Sequence, residues 1–220
     1  MKTVAAIHTA MPMVEPTKEL FNEHLPGVKL INIVDDSLIQ EVIKAGEVTP
    51  NVRKRLYNYY FSAVDAGADI IFNTCSSIGV EAQLARDFLS IPLVKIDDAM
   101  AEEAVNTSKS IGVMATLPTT LQPTIKLIES FALQANKQVK IVEGLAKGAF
   151  EAVISGDKEK HDHLILEAAK KISSSVDIIV LAQGSMARMQ QTLANATGKK
   201  VLASPLMGVL SLKKELEKIS

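Results

Sequence analysis

Short apolar runs alternate along the chain with longer stretches in which apolar residues recur every three or four positions. That alternation marks β-strands joined by amphipathic helices in a parallel sheet. Strands are expected at residues 4–7, 28–34, 69–73, 93–96, 111–115, 139–142, 177–181 and 201–202. Helices are expected at 38–44, 50–66, 80–89, 99–105, 118–134, 186–194 and 205–217, with two more on either side of Ser155-Gly156. Thr49-Pro50 supplies a capping side chain and a first helical residue with preset φ, and Gly67 supplies a stop. His24, beside Pro26-Gly27, reads as loop.

The order of elements occurs twice. Gly67-Ala68-Asp69-Ile70-Ile71 parallels Ser175-Val176-Asp177-Ile178-Ile179, an offset of 177 − 69 = 108, and the same offset sets His8 against Thr116. The expected fold is α/β, with two pseudo-symmetric half-domains, each a small parallel sheet flanked by helices. Residues 1–98 form the first half and 99–205 the second, with the terminal helix, 206–220, available to pack on the first. In open α/β sheets ligands bind beyond the carboxyl ends of the strands, so chemistry is sought there.

Composition narrows the functions. The 220 residues carry 24 Lys+Arg against 25 Asp+Glu, without a block of like charge, and only 4% are aromatic. Neither a nucleic-acid footprint nor a base-stacking platform is indicated. No apolar run is long enough to cross a membrane. The apolar start of the chain is short and broken by His8, unlike a signal peptide. Cys75 is the only cysteine, so no intramolecular disulfide forms and a cytoplasmic protein is expected. Glycine-rich phosphate loops are absent and no Lys stands in a recognisable Schiff-base setting, so no cofactor is expected. His161-Asp162-His163 follows a charged Gly-Asp segment and reads as a solvated helix terminus rather than a metal site. Arg53-Lys54-Arg55 reads as a solvated helix face. Leu206, Val209, Leu210 and Leu212 form an apolar helix face that serves a core or a subunit contact equally well.

Four strand ends carry polar residues: His8-Thr9, the run Thr74 to Gly79, Thr116 with Thr119-Thr120, and Gln183-Gly184-Ser185-Met186. A free Cys is often a small buried apolar residue. Cys75, however, follows a strand and precedes a Ser-Ser-x-Gly turn into a helix, where unpaired N–H groups and the helix dipole favour a thiolate. Ser76, Ser77, Thr116, Thr119 and Thr120 suit helix capping, and as a group spread over two equivalent places they also suit anion binding. His8 is either an acid/base group or a hydrogen-bonded structural residue.

Asp69-Ile70-Ile71-Phe72-Asn73-Thr74-Cys75-Ser76-Ser77 resembles the first catalytic-cysteine motif of the aspartate/glutamate/hydantoin racemase superfamily, and the order of elements agrees over the whole chain. The resemblance implies a cofactor-independent enzyme with its active site between two half-domains, each donating one Cys, and often a homodimer. It implies Cys75 as acid/base or nucleophile on a small carboxylate substrate. It also implies Ser76, Ser77, Thr116, Thr119, Thr120, Gly184 and Ser185 as substrate-binding residues. The chain departs from the pattern at the second Cys: position 75 + 108 = 183 holds Gln183, which does not titrate. A symmetric two-thiol racemisation is therefore not expected. Three readings follow: a racemase-like isomerase acting beside a carboxylate; a decarboxylase of the arylmalonate type, protonating an enediolate with one Cys; and a small-acid binding protein without catalysis.

Overall fold

The computed structural model describes residues 1–219. The chain divides into two compact units, Met1–Asp98 with the segment from Pro205 onward, and Ala99–Ser204. The first unit contains β1 (Thr3–His8), α1 (Val14–His24), β2 (Lys29–Val34), α2 (Ser37–Ala45), α3 (Pro50–Asp65), β3 (Ile70–Asn73), α4 (Gly79–Ala85) and β4 (Leu93–Lys95). Its four parallel strands lie in the order β2-β1-β3-β4. The central strands β1 and β3 are buried on both faces, which is why they read as continuous apolar runs rather than alternating ones.

After α5 (Asp98–Thr107), the second unit continues with β5 (Ser110–Ala115), α6 (Pro118–Gln134), β6 (Lys140–Leu145), α7 (Ala149–Ile154), α8 (Lys158–Ser173), β7 (Ile178–Leu181), α9 (Gln190–Thr197) and β8 (Lys200–Ala203). Its sheet order, β6-β5-β7-β8, repeats that of the first. The last helix, α10 (Ser204–Lys218), returns to the first unit. There Val209, Leu212 and Leu216 join Phe21, Leu25, Ile70 and Phe72 in the core on one face of the sheet. The other face packs Leu38, Val42, Leu56, Tyr60 and Ala82 from α2, α3 and α4. Leu206 and Leu210 stay on the surface. Gly208 marks the closest approach, since a Cβ there would lie 2.5 Å from the Ile96 carbonyl oxygen.

Local signals act as their chemistry dictates. The Thr49 hydroxyl accepts from the Val52 N–H at 3.1 Å, Pro50 opens α3, and Gly67 follows it at φ +77°.

Several expectations need correction. Residues 14–24 form α1, so His24 is the last residue of a helix, not loop. Pro12 and Pro16 hide this helix in the sequence, but Pro16 falls in its first turn, where a missing N–H is tolerated. The 80–89 helix ends at Ala85, because the following N–H groups of Arg86, Asp87 and Phe88 bond three residues back and tighten the chain. Residues 184–189 are a 3₁₀ turn, and the α-helix begins only at Gln190.

Two charged clusters are solvated in part, with Arg53, Lys54 and His163 exposed, but they also carry ion pairs the sequence did not suggest. Arg53 pairs bidentately with buried Glu81 at 2.7 and 2.8 Å, and Arg55 reaches Asp35 at 2.5 Å. His161 is buried and lies 2.7 Å from Asp162, which Arg188 also pairs.

The internal offset needs one refinement. Ile7 pairs with Asn73 and Met114 with Leu181. The offset is thus 114 − 7 = 107 on the first strand and 181 − 73 = 108 on the third. Thr116 therefore corresponds to Thr9, not to His8.

Candidate active site

Cys75 stands two residues beyond β3, in extended conformation at φ −126° and ψ 120°, and caps a 3₁₀ turn, Ser76–Ile78, that leads into α4. Its place is held from below. The Asn73 amide donates to the Cys75 carbonyl at 3.0 Å, and the buried Tyr60 hydroxyl donates to the Asn73 side-chain oxygen at 2.9 Å. From the side, Arg53 and the Tyr57 hydroxyl grip Glu81 and so tie α4 to α3.

Three donors address the sulfur: the Thr9 hydroxyl and the backbone N–H groups of Ser77 and Ile78. Each favours a thiolate. Burial opposes them and prevails, with the Asp97 carboxyl acting in the same direction, so the thiol is pushed up from its ordinary value. This corrects the expectation of a lowered thiol. The turn offers only two N–H groups and leads into a seven-residue helix, too little to offset desolvation.

Asp97 follows β4 and is 2% exposed. The Ser76 hydroxyl donates to it, and its Oδ1 has no hydrogen-bond partner among the described residues. Burial and the neighbouring Asp98 push its carboxyl up, against Lys95 and the Ser76 bond. Lys95, buried at the end of β4, pairs with Asp98 at 2.9 Å. Ser77 is buried in the same turn.

His8 is fully buried. Its Nε2 lies 2.9 Å from the Asn32 side-chain oxygen and its Nδ1 lies 3.0 Å from the Thr74 hydroxyl, which also contacts the Ile7 carbonyl. Burial lowers its pKa, with the Asn32 bond opposing. Both ring nitrogens are occupied, and the neutral imidazole links β1, β2 and the β3 end.

The second unit repeats this geometry with different chemistry. Gln183 caps the 3₁₀ turn Gly184–Met189 at φ −121° and ψ 130°, close to the conformation of Cys75. The Thr116 N–H and hydroxyl both donate to its side-chain oxygen, at 2.6 and 3.0 Å. Thr116 thus addresses Gln183 as Thr9 addresses Cys75. A backbone N–H can only donate, so the contacting atom is the amide oxygen, and the remaining capacity of Gln183 is its pair of N–H donors.

Thr119 and Thr120 lie in the first turn of α6. The Thr119 hydroxyl oxygen is buried without a hydrogen-bond partner among the described residues, and Thr120 is buried. Gly184 is half-buried and Ser185 is exposed. The Asp162–Arg188 pair, with His161 behind it, fastens the turn that follows Gln183.

The structure therefore joins Cys75, Ser76 and Ser77 in one cluster, and Thr116 with Gln183 in another. Sequence reasoning gave no part in the site to Asn73, Tyr60, Lys95 or Asp97, and named Thr9 only as part of a strand end. A Lys within the apolar run Leu93-Val94-Lys95-Ile96 was a usable signal, because a buried Lys requires a partner. Among the described residues no helix is long and apolar enough to cross a membrane, and no three His, Cys, Asp or Glu residues converge as a metal-binding group.

The two-sheet α/β architecture and the Cys75 turn lead to a family assignment. The family model for Asp/Glu/Hydantoin racemase matches residues 6–212, and the chain belongs to that family. No curated protein sequence matches significantly. Among solved structures, a putative Asp/Glu racemase from Yersinia pestis is 17% identical, with a TM-score of 0.75, over 98% of this chain and 99% of its own. Glutamate racemase RacE1 from Bacillus anthracis is 14% identical, also with a TM-score of 0.75, over 99% of this chain and 82% of its own. An unliganded arylmalonate decarboxylase is more distant, 12% identical with a TM-score of 0.57, over 97% of this chain and 92% of its own. At these identities the likeness is one of fold.

Proposed function

We propose that the protein is a cofactor-independent, single-thiol isomerase that moves a proton at the carbon beside a carboxylate of a small acid. Cys75 is the proton-transfer residue. The observation that carries this reading is the sulfur's setting: a half-buried cysteine at a strand end, its sulfur addressed by the Thr9 hydroxyl and two backbone N–H groups. A packing cysteine needs no such donors. In isomerisation the Cys75 thiolate first takes the proton from the carbon beside the carboxylate, the C–H electron pair passing into the enediolate as the S–H bond forms; in the return step the S–H bond breaks, a C–H bond forms at that carbon, and sulfur keeps the electron pair. The three donors then stabilise the thiolate at the moment it forms.

Ser76, Ser77, Thr116, Thr119, Thr120, Gly184 and Ser185 are assigned to the substrate carboxylate and its enediolate. The Thr119 hydroxyl, without a hydrogen-bond partner among the described residues, supports that assignment, as do the N–H groups of Gln183, whose oxygen Thr116 already occupies. Gln183 is a donor and not a second base. His8 has a structural part. A cytoplasmic homodimer belongs to the same reading, the first from the lone cysteine and the second from the family resemblance.

A decarboxylase is the second reading. It is favoured by a thiol that rests protonated, which suits one-sided delivery of a proton. Incubation with small amino, hydroxy and dicarboxylic acids in deuterium oxide, followed by NMR, separates the two. Label in recovered substrate identifies an isomerase. Label confined to a product one carbon shorter identifies a decarboxylase. Either activity must disappear in Cys75→Ser. If neither appears with any acid that protects Cys75 from alkylation, the protein binds small acids without turning them over.

A further inference from the structure

One face of the first unit exposes apolar side chains that neither the core nor the proposed reaction uses. Arg53 and the Tyr57 hydroxyl on α3 hold Glu81 on α4, so the two helices lie side by side. Across them Phe61 on α3, Val80 and Leu84 on α4, and Phe88 just beyond α4 are each 46–53% exposed. The Phe88 ring meets that of Tyr57 edge-on at 5.1 Å and lies 5.9 Å from that of Phe61, which makes the surface continuous between the helices. Val80 and Leu84, four residues apart, share one side of α4. Half of two phenylalanines and two aliphatic side chains is roughly 350 Å² of apolar surface. A stable interface takes about 800 Å² from each partner, with an apolar centre and a polar rim. The patch has the size of such a centre.

The charges beside it indicate what covers it. Arg53 and Arg55 are committed to Glu81 and Asp35. Lys54 between them is exposed and has no ion-pair partner among the described residues, and the same is true of Asp65. Lys54 stands seven residues before Phe61 and Asp65 four after it, so both lie on the Phe61 stripe of α3. Asp65 is the last residue of α3, where the helix dipole disfavours an anion, so it does not serve the helix itself. The stripe therefore reads basic, apolar, acidic, and that order is complementary to its own reverse.

We propose that this face is an isologous contact between two copies of the chain, with the two α3 helices antiparallel about a twofold axis level with Tyr59 and Tyr60. Such an axis sets Lys54 of each copy opposite Asp65 of the partner subunit, and it brings the two Phe61 side chains close together at the centre. The inference rests on the homodimer of the proposed function and deepens it by naming the face; it does not involve turnover.

Sedimentation velocity of the full chain at micromolar concentrations tests it. The wild type should have the mass of two chains. Phe61→Glu and Leu84→Glu place anions in the apolar centre and should give the mass of one chain, with an unchanged far-UV circular dichroism spectrum because both positions are exposed. Leu210→Glu, on the exposed side of α10, should remain a dimer. A charge swap reads the contact without removing apolar surface. Lys54→Glu sets like charges opposite each other twice and should weaken the dimer roughly tenfold. Adding Asp65→Lys should restore it. Within one chain the two positions are about 16 Å apart along the helix, beyond the reach of screened charges, so a rescue reports a contact between copies. A dimer that survives both Phe61→Glu and Leu84→Glu overturns the assignment of the face and leaves the homodimer standing. So does a Lys54→Glu dimer as tight as the wild type, or a double variant that does not recover. A wild type with the mass of one chain overturns both the face and the homodimer, and would leave the patch to a different protein.

Discussion

Replacing Thr9 by Val removes one hydroxyl and keeps the shape of a side chain that is 2% exposed. In the wild type that hydroxyl donates to the Cys75 sulfur. A hydrogen bond to an ionised group contributes about 1.5–3 kcal/mol. Sulfur is a weak acceptor, so the lower figure applies. One pKa unit corresponds to about 1.4 kcal/mol. Thr9→Val should therefore raise the Cys75 midpoint by roughly one unit and slow alkylation at pH 7 roughly tenfold. The direction follows from the charged form: the hydroxyl favours the thiolate, so its loss favours the thiol. The assay is the iodoacetamide rate between pH 6 and 10, with Thr9→Ser as the variant that retains the donor. Turnover should fall in parallel, because the same bond stabilises the thiolate left after proton delivery. A Thr9→Val midpoint equal to that of the wild type, with Thr9→Ser also unchanged, would refute the assignment of Thr9 to the sulfur.

Two further predictions concern the frame that carries the site. Burial pushes the Asp35 carboxyl up, but the Ser37 hydroxyl, the Tyr59 hydroxyl and Arg55 outweigh it and bring the group down to about 2. A folded-state pKa below the unfolded one gives stability that is present above the unfolded value and lost as pH falls towards 2. Asp35→Asn should cost roughly 2 kcal/mol at pH 7 and almost nothing near pH 2, as read by urea denaturation at both. Gly208→Ala sets a Cβ 2.5 Å from the Ile96 carbonyl oxygen and 2.9 Å from its Cα, backbone atoms that yield only if α10 shifts. Overpacking of this kind costs about 1–3 kcal/mol and outweighs the roughly 1 kcal/mol by which Ala is the better helix former. The melting temperature should drop, and a rise would place α10 further from the sheet.

Most strands and helices were legible from the chain because buried parallel strands leave short apolar runs, and their connecting helices leave a 3.6-residue period. Residues 70–73 and 178–181 were found in this way, as were the Thr49-Pro50 start and Gly67 stop of α3. Helix α1 was not, since its two nearby prolines suggest a loop until Pro16 is seen to fall in the first turn. The repeat was legible too, but its register on the first strand was not. The second half has one more residue between its first and third strands, and only strand pairing reveals which residues face each other. That single residue decides that Thr9, and not His8, is the counterpart of Thr116.

The sequence by itself determined the fold class, the family and the position of Cys75, because these depend on local periodicity and on residues close together in the chain. The tertiary structure alone decided the state of the site. The thiol's direction of shift is a balance of burial, three donors and the Asp97 carboxyl, brought together from residues 9, 75–78 and 97. The same holds for Gln183, whose amide is turned by Thr116 from 67 positions away. Protonation and side-chain orientation follow from what surrounds a group in space, and neighbours of that kind leave no period in the sequence.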